Sequence, residues 1–236
     1  LIDLRKRFKT NPKYWYALHR PRRKEWYDEE KIITPEISFG CNMTLDKKGL
    51  VHNATVYSFL KKSSVETDNR YLLAILNSKL TWFFLKSTGC VLRGGFFRFK
   101  TRYMEPFHIP KANPEVEKQI SERVESILEL RRQYHELSSK LFNRIMGRFK
   151  ITSTKSGDGI HKLSFNALLA ELAVISKEKL SVQEQDEWED YFNRQKTELL
   201  RLESEIGRLD SQVNRMVYDL YALDETEKRL IEDTYP

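Results

Sequence analysis

Asn113-Pro114-Glu115-Val116-Glu117-Lys118-Gln119-Ile120 divides this chain into two kinds of sequence. Asn can accept from the free N–H groups of a starting helix, Pro suits the first turn, and Glu favours the positive end of the helix dipole. The spacing predicts a long helix from here to about Met146, because Ile120, Val124, Ile127, Leu130, Tyr134, Leu137, Leu141 and Ile145 recur every three or four residues. A single stripe of this kind needs a partner helix. Beyond Gly147, the polar stretch Ile151 to Gly159 reads as a mobile loop and Ser164 to Ile175 as a short apolar helix. Ser181-Val-Gln-Glu184 is a capping box, and it opens a helix of about 40 residues. From Trp188 its stripe runs through Phe192, Leu199, Leu202, Ile206, Leu209, Val213, Met216 and Leu220, with Gln195 taking one seam place. That is a coiled-coil seam. The two long helices are expected to fold back as an antiparallel coiled-coil hairpin, although pairing with another chain would satisfy the same stripes. Asp224-Glu-Thr-Glu227 caps a last short helix.

Before Asn113 the prolines, glycines and aromatics are frequent and the periodicity keeps changing, which suits short strands around one helix. Strands are predicted at Ile32-Ile33 into Ile37, at Val51 to Leu60 and at Phe96 to Tyr103, with a turn at Asp46-Lys47-Lys48-Gly49. Asn69 to Lys86 predicts one core helix, carrying Leu72, Leu73, Ile75, Leu76, Leu80, Phe83 and Phe84. The expected fold class is α+β. A small mixed α/β domain over residues 1–112 precedes a helical region over residues 113–236.

Charge follows the same division. Residues 1–112 hold 22 basic and 10 acidic side chains, whereas residues 113–236 hold 19 and 24. A basic front beside a mildly acidic rear points to a nucleic-acid partner at the front and a protein-facing or solvated rear. Within the front, Arg93-Gly-Gly-Phe-Phe-Arg-Phe-Lys-Thr-Arg-Tyr103 alternates cations with rings behind a diglycine. Such a ribbon can offer cations to phosphates or base edges while its rings anchor it. Arg93, Arg98, Lys100 and Arg102 are therefore the first candidates for binding DNA. Arg20, Arg22, Arg23 and Lys24, with Lys47 and Lys48 on their turn, are the second.

Catalytic signals are missing. The histidines at 19, 52, 108, 135 and 161 never fall three or four apart, so no metal-ligand pair is visible. There is no glycine-rich phosphate cradle and no nucleophile elbow. Asn11-Pro12-Lys13-Tyr14 is one residue from the Asn-Pro-Pro-Tyr of adenine-N6 methyltransferases, but Lys13 replaces a proline and only ten residues precede it. It reads as a lead into the core anchors Trp15 and Leu18. Cys41 and Cys90 are expected as free buried thiols of a cytoplasmic protein. No run of about 18 apolar residues offers a membrane span. Because the chain begins at Leu1, it reads as a piece of a longer protein.

Four ordered stretches carry a family resemblance: Lys31-Ile-Ile-Thr-Pro-Glu-Ile-Ser38, Asp46 to Gly49 with Asn53 to Tyr57, Tyr71 to Leu80 with Trp82-Phe83-Phe84, and Arg93 to Lys100 through Tyr103 to Pro110. The front is similar to the TaqI-like C-terminal specificity domain, the target-recognition domain of type IIG restriction-modification enzymes. Asp186 to Phe192 and Gln212 to Leu223 resemble the tails of such enzymes. The resemblance implies a fused parent protein whose N-terminal parts hold a nuclease and an adenine-N6 DNA methyltransferase. S-adenosylmethionine and Mg2+ are expected in those parts and no cofactor in this fragment, which would select double-stranded DNA without catalysis of its own. In such a family Pro35, Leu72, Leu76, Leu80, Gly94 and Gly95 belong to the framework, and the base-reading residues do not carry over by position. Two other readings stay open: the specificity subunit of a type I-like system, and a coiled-coil interaction protein whose basic front binds RNA or acidic protein. Oligomeric state is open as well.

Overall fold

A computed structural model describes residues 25–53, 55–176 and 178–234. The chain divides into two compact units. One comprises residues up to Pro110 together with the segment from Glu225, and the other runs from Lys111 to Asp224.

The front unit is built on small antiparallel sheets. After a helical turn α1 (Glu25–Asp28), strand β1 (Lys31–Pro35) is followed by β2 (Ile37–Ser38), β3 (Thr44–Asp46) and β4 (Val56–Phe59). β1 lies between β3 and β4, with Ile32 opposite both Leu45 and Phe59. β2 pairs instead with β5 (Phe97–Arg98), placing Ile37 opposite Arg98 and Ser38 opposite Phe97.

The single helix predicted over residues 69–86 is two helices, α2 (Asn69–Leu76) and α3 (Lys79–Thr88). Asn77 breaks it because its side-chain amide closes both ends onto Met43, accepting from Met43 N at 2.8 Å and donating to Met43 O at 2.9 Å. Ser78 then caps α3 by accepting from the Thr81 amide. Tyr71, Leu73, Ile75, Leu76, Trp82 and Leu85 fill the core between the helices and the strands.

Three other expectations are corrected in this unit. The strand predicted from Phe96 to Tyr103 ends at Arg98, and the chain turns into the short helix α4 (Thr101–Met104), with the Tyr103 and Met104 amides donating to Lys100 O. The strand predicted from Val51 narrows to Val56–Phe59. Cys41 is buried and its thiol pKa is pushed up by burial, but Cys90 is exposed.

The rear unit contains the two long helices. α5 (Pro114–Phe149) starts with Asn113 accepting from Val116 N, and α7 (Val182–Leu220) starts with the predicted capping box of Ser181 and Glu184. They run antiparallel: Arg131 meets Asp210, Tyr134 meets Glu203, and Arg148 meets Glu184. The pairing is satisfied within one chain. Most of the α7 seam is buried from Phe192 to Val213, but in the last turns Val217 and Tyr218 take the buried places expected of Met216 and Leu220. At the other end of the hairpin, Leu141, Ile145, Phe149, Phe192 and Leu199 enclose Phe165, Leu168 and Leu172 of the short helix α6 (Phe165–Ile175). The stretch predicted as a mobile loop is tied to this helix, since Ser156 donates from N and Oγ to the Glu171 carboxylate at 3.0 and 2.6 Å. It ends in a 3-10 segment, Gly157–Lys162, whose Ile160 and His161 are buried.

The last helix, α8 (Glu225–Thr234), was expected in the rear but belongs to the front unit. Ile231 is its buried residue, Glu232 pairs with Lys79, and Lys86 donates to Thr234 O at 3.2 Å. Among the described residues no helix is long and apolar enough to cross a membrane.

Candidate functional site

The Arg-Gly-Gly segment forms the tip of a tight turn. Leu92 N donates to Phe96 O at 2.6 Å and Gly95 N to Leu92 O at 3.1 Å, closing a loop over Arg93, Gly94 and Gly95. Both glycines have positive φ, 82° and 81°. A side chain at Gly95 would be strained on that ground, and its Cβ would lie 3.0 Å from the Phe39 ring. The diglycine is thus a demand of backbone geometry and of the neighbouring strand.

Beyond the tip, the two-residue period of the ribbon separates its rings. Phe97 and Phe99 point into the unit and are 0% and 1% exposed; Phe97 meets Trp82, Phe99 and Tyr103 in edge-on contacts at 5.4–6.1 Å. Phe96 lies on the other side, 44% exposed, directly across from Phe39 at 46%. Their rings meet edge to face at 5.8 Å, and the next cross-strand pair on this side is Ile37 with Arg98. Sequence reading singled out Phe96, Phe97 and Phe99 without saying which faced outward, and it missed Ile37 and Phe39. The opposing strand lies about sixty residues away in the chain, and only its pairing with β5 identifies them.

The four first-choice cations separate into two settings. Arg93 is exposed at the tip and, among the described residues, has no hydrogen bond or ion pair, while Arg98 projects from the outer side of the ribbon with its Nε 3.6 Å from Glu36 Oε1. That separation is too long for a hydrogen bond, so Glu36 offsets the charge without tying the guanidinium down. Lys100 and Arg102 leave the ribbon where α4 begins. Lys100 lines a cavity of about 410 Å3 with Tyr57, Phe59, Leu72 and Phe107. Arg102 folds over the Tyr103 ring, its guanidinium carbon 4.6 Å from the centroid, and donates to the Tyr103 hydroxyl.

Lys47 and Lys48 occupy a turn organised by one carboxylate. Asp46 accepts from Lys48 N and Leu50 N, both at 2.8 Å, and pairs with the buried Lys31 ammonium at 2.5 Å. Lys31 also donates to Tyr27 O at 2.7 Å. Burial raises the Asp46 pKa, but the Lys31 hydrogen bond and the two amides outweigh it and hold the carboxyl below the usual range. Gly49, at φ 71° and with Tyr27 O 3.2 Å from any added Cβ, completes the turn. Both lysine side chains remain exposed. Arg20, Arg22, Arg23 and Lys24 lie outside the described residues, as does Asn11 to Tyr14.

A buried histidine organises a polar cluster in the rear unit. His161 Nε2 and the Tyr134 hydroxyl meet Glu203 Oε1 at 3.3 and 3.1 Å, and Lys162 Nζ lies 3.7 Å from the same oxygen. Burial raises the Glu203 pKa, but the bonds from His161 and Tyr134 reverse the shift and bring it below normal. This cluster ties the 3-10 segment to both long helices. Among the described residues, no group of three or more His, Cys, Asp or Glu side chains is arranged to hold a metal ion.

Comparison with known families divides the chain near residue 110, where the first of the two units is left. Residues 113–217 match a domain of unknown function, DUF8810. No curated protein matches the chain. Residues 4–109, which carry the ribbon, the Asp46 turn and every candidate cation, match the TaqI-like C-terminal specificity domain.

Proposed function

We propose that the front unit is the sequence-specific DNA recognition domain of a type IIG restriction-modification enzyme, and that it selects a duplex without altering a covalent bond. The observation that carries this reading is the match of residues 4–109 to a specificity domain, in a unit whose ribbon holds an exposed Arg93 at its tip and a half-buried Arg98 on its outer side. Arg93 and Arg98 are assigned to the DNA, where a guanidinium can grip guanine O6 and N7 through two bonds. Lys47, Lys48, Lys100 and Arg102 are assigned to phosphates, which set position without reading sequence. The antiparallel helices act as a coiled-coil spacer that docks the domain against N-terminal methyltransferase and nuclease parts of the same protein. S-adenosylmethionine and Mg2+ serve those parts.

Duplex affinity of the 236-residue chain, measured by fluorescence anisotropy across a salt series, tests the electrostatic premise. A fall of about tenfold or more between low and moderate salt is expected if several phosphates are neutralised. A flat response would remove it. In the same assay Arg98→Ala should relax preference among duplexes if the residue reads a base, but weaken all of them alike if it touches phosphate. Preference for single-stranded RNA over duplex would favour the interaction-protein reading instead.

A further inference from the structure

We infer that Phe39 and Phe96, together with Ile37, form an apolar strip that reads thymine 5-methyl groups in the major groove. The inference rests on the DNA reading above and makes it more specific.

Three neighbouring positions on the outer side of the β2–β5 ribbon carry large apolar side chains left 41–46% exposed, while the same ribbon buries Phe97 and Phe99 almost completely. The unit therefore has room for rings inside, and these three are outside because the register puts them there. Phe39 and Phe96 hold each other edge to face, and Gly95 leaves room for Phe39 at the tip. The result is an ordered apolar surface rather than two independent side chains.

What it fits follows from its flanks and its shape. Arg93 at the tip and Arg98 opposite Ile37, the latter partly offset by Glu36, leave net positive charge beside the strip, which suits a polyanion and disfavours an apolar protein face or a lipid tail. A two-stranded ribbon is of a size to enter the major groove. There the thymine methyl is the distinctive apolar group among the base edges, and aromatic side chains contact it. The arginines would grip acceptor edges or phosphates beside it, so the strip adds a thymine preference that the cations cannot supply.

Duplexes retained by the full chain from a random pool provide the substrates, and each thymine in them is replaced in turn by uracil, which removes only the methyl. At one or more positions wild-type affinity should fall by roughly fourfold, the equivalent of one buried methyl group. Phe96→Ala and Phe39→Ala should bind thymine and uracil duplexes equally, with the salt dependence unchanged because the cations remain. Phe96→Leu, which keeps an apolar side chain, should retain part of the discrimination and guards against a folding defect in the alanine variants. Insensitivity of the wild type to uracil at every position overturns the inference, even if Phe96→Ala weakens binding, since that pattern belongs to a ring stacking between bases. If no duplex is retained from the pool, the DNA reading itself falls.

Discussion

Gly89 shows how little slack surrounds the ribbon. A Cβ at this position would lie 2.3 Å from the Phe97 ring and 2.8 Å from the Leu85 carbonyl oxygen. The ring cannot retreat easily because Trp82, Phe99 and Tyr103 already bound it. Gly89→Ala is expected to destabilise the front unit by about 1–3 kcal/mol, the usual cost of an overpacked core, and urea unfolding followed by tryptophan fluorescence measures it. Lys31 and Asp46 form the other tightly constrained pair, with side chains 1% and 0% exposed. Removing one partner leaves a buried charge, so Lys31→Met should cost about 3–5 kcal/mol. Its pH dependence has a definite sign. Because the folded Asp46 carboxyl titrates below its unfolded value, the contribution is complete above about pH 4 and is lost as pH falls through the lowered folded value. Comparing urea midpoints of wild type and Asp46→Asn down to pH 2.5, an acid limit of about that value, should show the wild type losing more stability. Equal losses would mean that the pair does not titrate on unfolding.

Among the elements, the long helices were legible because a period repeated over many turns accumulates signal and its ends carry caps. Asn113 and Ser181 were both readable before any partner was known. Ser181 accepts from Glu184 N while Glu184 accepts from Ser181 N, and the Ser181 amide together with Arg148 brings the Glu184 carboxyl down to about 2. Ser181→Ala should cost about 1 kcal/mol and Ser181→Gly only a few tenths, a ranking that thermal melts followed by helical circular dichroism can check. The short elements were less legible for a physical reason. Asn77 interrupts a good apolar stripe through bonds to Met43, which is 34 residues away in sequence. β5 is two residues long and is defined by Ile37 and Ser38, so alternation in Phe96 to Phe99 revealed two faces but not where pairing stops. Nothing in the sequence around Lys31 signals a buried ammonium, which only the pairing of β1 with β3 places beside Asp46. The candidate site was therefore readable in its cations and unreadable in its apolar half, which only the register of two distant strands assembles.

At the scale of the whole molecule, the front unit is discontinuous in sequence. It is left after Pro110 and completed by α8, more than a hundred residues later. This explains why a purely sequential division at Asn113 misassigns the chain's end: charge and periodicity change there, but ownership of the last helix is decided by a small set of contacts with α3. Among the contacts are the Lys79–Glu232 ion pair and the Lys86 bond to Thr234 O, and Ile231 of α8 is buried at 3% exposed. The ion pair is part-exposed and contributes little. Burying an isoleucine contributes about 1.5–3 kcal/mol, so the hydrophobic contact dominates. Ending the chain after Asp224 should consequently lower the stability of the front unit by roughly that amount while leaving the α5–α7 hairpin, whose core lies between its own helices, at its original stability. Hydrogen exchange resolves the two. Amides of Lys79 to Thr88 should lose protection in the shortened chain, and those of α5 and α7 should not. Equal loss in both would show that the units unfold as one cooperative body, and no loss in α3 would show that α8 contributes nothing to the unit it completes.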